Sequence, residues 1–306
     1  MVIAWLAYYL FSRRETLGAA VDADLPHLAG TGALILVTWG LMSVQATLLL
    51  RALGAPVGYG EHMVLQLASN LVNYLPVRLG PVLRIHYLKS VHGLELARFG
   101  SAVGIRAILL VLACGFTGLS SEVAGAVRGE PVSPALLSIF GGLTAAAGGA
   151  FLMPLPRFAA RSGALARLWR DLADGVALAR ARPRLLVLVL VLIGLQLLAV
   201  AARLGITFDT VSFAATPVLA LKVASLAALV NLLAFTMGSL GLREAVIGYA
   251  TAASGFDFST GVFAGVVDRA MLLALTYPLG LLGLAFVSSR LRRARGSSQG
   301  SREGAS

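Results

Sequence analysis

Over residues 185–200 the chain runs for sixteen positions with Gln196 as its one polar side chain and no charge. Similar stretches recur at 29–50, 99–119, 132–154, 185–202 and 261–286. In hydrocarbon there is no water to satisfy backbone N–H and C=O groups, so a spanning segment is a helix or part of a closed barrel. Barrel strands alternate apolar and polar residues, and 185–200 does not alternate. With 58% hydrophobic and 13% charged residues and a mean hydropathy of +0.85, against roughly 25% charged in soluble domains, the chain reads as an all-α polytopic membrane protein.

Two further apolar segments, 63–75 and 218–235, are interrupted, and each runs into the same kind of polar, glycine-broken motif. The first places Asn73 ahead of Pro76, Arg78, Gly80 and Arg84; the second places Asn231 ahead of Gly238, Gly241, Arg243 and Glu244. Seven positions separate asparagine from the first glycine in both, and an apolar run opened by arginine follows each, at Arg106 and at Arg269. Paired, interrupted segments in the two halves of a membrane chain mark the substrate site of a transporter. The expected architecture is two inverted repeats, 29–119 and 185–286, each with a re-entrant or broken helix, and about six to eight membrane segments in all. Residues 132–154 link the repeats, and 245–255 completes a helical hairpin after the second motif.

The formal charge of +11 arises from 25 Lys and Arg against 14 Asp and Glu, with basic residues gathered at 78–98, 157–184 and 290–302. Positive residues concentrate on the cytoplasmic side of membrane proteins. The seven arginines of 155–184 and the tail 290–306 are therefore placed in the cytoplasm, the latter disordered because of its Gly/Ser content. The segments around Glu122 and Asp209 are placed outside, and the chain in the cell's inner (plasma) membrane. Nucleic-acid binding is not expected, since no soluble module remains to perform it. Residues 157–182 show an apolar face (Leu165, Leu168, Trp169, Leu172) beside an arginine-rich one, the pattern of an interfacial helix. Residues 1–11 are apolar but shorter than a span, with no leader or cleavage pattern, so the first helix is expected to begin upstream of Met1.

A mid-membrane charge costs about 2.5–3.5 kcal/mol even on lenient scales, so Arg78, Arg84, Arg106, Arg243, Glu244, Asp268 and Arg269 need a reason to be there. One reading is a basic cavity in which arginine forks and the N–H groups bared at Gly80, Gly238 and Gly241 hold a phosphate. The other is snorkelling of Arg78, Arg84 and Arg106 to the interface. Asn70, Asn73 and Asn231 are expected to stitch the broken helices to their neighbours, and Lys222 to snorkel near the outer end of its span. The histidines lack metal-ligand spacing, and no HExxH, Walker A or GxSxG motif occurs, so no cofactor or catalytic centre is expected. Cys114, the sole cysteine, reads as packing.

These motifs resemble the lysylphosphatidylglycerol synthase transmembrane, flippase-like family over about residues 29–286. The family patterns are similar to N-x-x-P-G-R-x-G-E-x-x-R and P-G-G-x-G-x-R-E. Here Val77 and Pro81 replace the glycine and glutamate of the first pattern, and Thr236 and Met237 replace the second Pro-Gly. Ile105 and Leu109 stand where the family carries a glutamate and an aspartate, leaving this chain short of acidic partners. The resemblance implies translocation of a phosphate-headgroup lipid, either an aminoacylated phosphatidylglycerol or a polyprenyl-linked glycolipid. It also implies that the aminoacyl-transfer reaction needs a soluble domain beyond this sequence. Implied partners are a lipid with an anionic headgroup, a separate synthase or glycosyltransferase, and a second copy of the chain. The rival readings are a non-catalytic partner of such a synthase and an integral-membrane lipid transferase or hydrolase relying on Glu244.

Overall fold

The computed structural model of the chain describes residues 25–74, 79–152, 177, 180–233 and 241–303. Among them are nine helices and no strand. They are α1 (Leu25–Ala52), α2 (Tyr59–Val72), α3 (Gly80–His92), α4 (Leu96–Val127), α5 (Pro134–Leu152), α6 (Pro183–Thr210), α7 (Pro217–Leu233), α8 (Leu242–Ala253) and α9 (Phe258–Glu303). A long, short, short, long order appears twice, at α1–α4 and α6–α9, with α5 between. By length and composition α1, α4, α6 and α9 are able to cross a membrane. Most of the amphipathic segment 157–182 lies outside the described residues, as do Arg78 and Gly238.

Helix contacts fix the relative directions of these elements. Gly30 faces Ile206, Gln45 bonds Gln196, and Arg182 donates to the Ala52 carbonyl; α1 and α6 therefore run antiparallel. Each quartet lays its last long helix against the first short helix of the other, α9 on α2 and α4 on α7. Glycines permit the close approach: a methyl group at Gly283 would lie 2.9 Å from both the Val64 carbonyl oxygen and the Ala68 nitrogen. Pro278 lies within α9 and removes one backbone donor from the helix that borders the cavity described below.

Two expectations, for Glu122 and Lys222, are corrected here, and one helix is added that the sequence does not announce. The basic stretch 78–98 contains a helix, α3, opened by Gly80–Pro81 and closed by Gly93 in the left-handed region (φ 64°). Proline fits a first turn, where the N–H has no helical partner, and Tyr87 and Leu88 are buried against the bundle. Glu122 is not in an external loop and Lys222 does not snorkel: α4 continues to Val127, and the two side chains form a fully buried ion pair, Nζ to Oε1 3.2 Å. Each charge is what lets the other leave water. Helix α9 is described on to Glu303, into the basic tail; extending a nucleated helix fixes one residue per added bond.

The α2–α3 hairpin is fastened at its base by Glu61. Its Oε1 accepts from the Tyr87 hydroxyl at 2.6 Å and lies 3.0 Å from His92 Nε2. Burial pushes the Glu61 carboxyl up, but Tyr87, His92 and a Gly58 N–H outweigh it and hold the group below its ordinary range. A carboxylate depressed in the folded state contributes stability above its unfolded value, about 4.3, and loses it as pH falls through the folded one. Thermal unfolding in detergent micelles is expected to show a loss of stability below about pH 4.3 that is shallower in Glu61→Gln; an unchanged acid slope in that variant would exclude the clasp.

Candidate functional site

The two hairpins end at one cavity of about 390 Å³. From the first come Asn73, Tyr74, Pro81 and Arg84; from the second, Asn231, Leu232 and Arg243. Helices α4 and α9 add Arg106, Arg269 and Thr276, while α6 adds Gln196, Val200 and Arg203. Six of the residues singled out in the sequence, Asn73, Arg84, Arg106, Asn231, Arg243 and Arg269, thus line one space. Arg203 escaped notice because the apolar run was ended at 202. Its signal was present, since Gln196, Val200 and Arg203 fall at i, i+4 and i+7, one face of a helix.

Among the described residues, five guanidinium groups line this cavity and no carboxylate does. The compensating acids sit behind the wall. Asp268, with no exposed surface, bridges two arginines: Oδ1 lies 2.7 Å from Arg203 Nε and Oδ2 lies 2.6 Å from Arg243 Nη2. Glu244 Oε1 lies 2.5 Å from Arg269 Nε. Arg106 is held by neutral acceptors: Nε donates to Gln45 Oε1 (3.0 Å) and Nη2 to Gln196 Oε1 (3.3 Å), while Gln45 Nε2 donates to the same Gln196 oxygen (3.1 Å). Arg84 Nε, Arg243 Nε and Arg243 Nη1 are buried donors without a hydrogen-bond partner among the described residues. Among the described residues, five cations against Asp268 and Glu244 leave an excess of three positive charges around the space.

Gly80 and Gly241 act differently from the sequence expectation, which had their N–H groups bared to a ligand; Gly238 lies outside the described residues. Gly80 N–H donates to Asn73 Oδ1 at 3.0 Å. A Cβ on Gly80 would collide with that side chain and with the Ser69 carbonyl, so the seven-residue spacing is the length of a cap reaching across the helix break. Asn73 therefore ties the end of α2 to the start of α3, whereas Asn70 accepts from Gln66 within α2 (2.7 Å). Gly241, at φ 82°, where a side chain would be strained, gives its N–H to Glu244 Oε2 at 2.9 Å. Both amides are thus occupied by the protein's own oxygens, and an anion in the cavity meets side-chain donors instead.

Removing a partner from a buried ion pair leaves an uncompensated charge and costs about 3–5 kcal/mol. Asp268→Asn strands both Arg203 and Arg243, so its thermal midpoint is expected to fall far below that of Arg84→Gln, which breaks no described ion pair. Equal midpoints for the two variants would show that Asp268 does not hold the wall together.

A family model described as "Lysylphosphatidylglycerol synthase TM region" matches residues 1–280. Comparison with curated proteins and with solved structures finds no match.

Proposed function

The chain belongs to the lysylphosphatidylglycerol synthase transmembrane-region family, and from that premise we propose that it is a flippase-like carrier of the cell's inner membrane, moving a phosphate-headgroup lipid through the arginine-lined cavity. The observation that carries this reading is the five-guanidinium wall with its acids withdrawn behind it. A cluster this costly to bury stands at the meeting point of two broken-helix hairpins. Arginine forks match phosphate oxygens in geometry and charge. The transferase reading loses its acid, because Glu244 has one oxygen on Arg269 and the other on the Gly241 N–H.

Alternating access follows from the proposed inverted arrangement. Antiparallel α1 and α6 support it, as does the single helix α5 between the quartets: two quartets that each cross twice, joined by one further crossing, start on opposite sides. The bundle's two ends also differ in charge. Arg51, Arg98 and Arg182 gather where the 52–58 loop meets the start of α6, with Gly54 against Arg98 and Arg182 on Ala52. At the other end Pro131 meets Gly255 and Phe213 stacks on Phe256, near Asp209, Glu130 and Asp257. We place the basic end, and with it Arg290 and the C-terminal tail, in the cytoplasm. The α2–α3 hairpin then dips in from the cytoplasm and α7–α8 from outside.

In a Cys114→Ser background, Lys89→Cys is expected to react with a membrane-impermeant maleimide only from the cytoplasmic side, and Phe256→Cys only from outside; labelling of both from one side would end the inverted arrangement. Charged hydrogen bonds contribute about 1.5–3 kcal/mol, so Arg84→Ala is expected to slow movement of a tail-labelled phospholipid in proteoliposomes by about tenfold or more. Wild-type rates in that variant would remove the arginine wall from the mechanism.

A further inference from the structure

The charge layout bears on which phosphate lipid fits, an inference that rests on the carrier reading. We propose that the cavity selects a net-anionic headgroup, a phosphate carrying an uncharged polyol or sugar, and rejects headgroups that carry an ammonium group. An aminoacylated lipid brings one or more ammonium groups along with its phosphate. Each would need a carboxylate or a water-rich exit to compensate it, and among the described residues the cavity wall presents no carboxylate. Asp268 has both oxygens on Arg203 and Arg243. Glu244 has both on Arg269 and the Gly241 N–H. An ammonium group entering here meets guanidinium groups at close range in a poorly screened space, a repulsion that discriminates between ligands by unfavourable contact.

The remaining polar wall suits hydroxyls. Gln66, Asn70, Asn73, Thr38 and Thr276 place neutral amide and hydroxyl groups around the arginines. Amide and hydroxyl groups satisfy a glycerol or sugar hydroxyl in either sense, whereas they neutralise no charge. The volume, about 390 Å³, lies within the range of small-molecule sites, roughly 300–1,000 Å³, and holds a headgroup while the lipid tails stay outside. The polyol-phosphate chemistry has two sources, a glycerophospholipid or a polyprenyl-phosphate sugar.

The test uses the full chain in proteoliposomes with three tail-labelled probes: phosphatidylglycerol, a polyprenyl-phosphate hexose and lysylphosphatidylglycerol. Movement across the bilayer is followed by quencher accessibility, and binding by the thermal shift each lipid produces in detergent. One or both anionic lipids are expected to bind and move roughly tenfold better than the lysyl lipid, and whichever moves identifies the source. Asn70→Asp and Gln66→Glu, which place a carboxylate on the wall, are expected to narrow that gap by raising lysyl-lipid binding. Lysylphosphatidylglycerol binding as well as the anionic lipids in wild type would overturn the selectivity and leave the carrier reading standing. Anionic preference in binding without movement of any probe would support the selectivity and remove the carrier reading. No thermal shift with any of the three would sink both.

Discussion

Asp268 carries no exposed surface and lies between two guanidinium groups that arrive from different helices, Arg203 on α6 and Arg243 on α8. In a medium that cannot solvate charge, this one carboxylate makes it affordable for three elements to meet at the bundle centre. Without it α8 has no reason to bring Arg243 inward, and the second hairpin has no fixed tip. Glu244 repeats the logic with Arg269, while also closing the first turn of its own helix through Gly241. The ion pairs therefore serve less as a source of net stability, which buried pairs seldom provide, than as a device that fixes where the helices end.

The same accounting explains why the cavity is basic. Two acids cover part of the charge of Arg203, Arg243 and Arg269; Arg106 rests on the Gln45 and Gln196 amides, and Arg84 faces the space with an unused donor. A wall built this way suits the anionic headgroup of the proposed carrier. Capping of Gly80 by Asn73 and of Gly241 by Glu244 removes the backbone amides from competition. In the proposed carrier, recognition rests on side chains, and these belong to both quartets, so movement of one quartet against the other would change the site itself.

The paired motifs were legible because polar residues inside apolar sequence are expensive and few, and expense at matched spacing is a usable signal. Asn73, Arg84, Arg106, Asn231, Arg243 and Arg269 stood out on those grounds and share one cavity. Arg203 did not, because an arginine after a long apolar run looks like the end of a span until the helix is seen to continue to Thr210. Lys222 and Glu122 were misread for the same reason: each looks like a surface residue alone, and only their contact, one hundred positions apart in sequence, makes both interior.

The sequence by itself determined that the chain is helical and membrane-embedded, that it repeats a broken segment, and that arginines accompany each break. Those conclusions follow from backbone hydrogen bonding and from the cost of charge in lipid, which act locally and leave their mark in runs and spacings. Which acid neutralises which arginine, that the Gly80 and Gly241 N–H groups are taken by Asn73 and Glu244, and that α3 is a packed helix were decided only by tertiary structure. Ion pairing and steric contact depend on distances between residues far apart along the chain, and no local pattern encodes those distances.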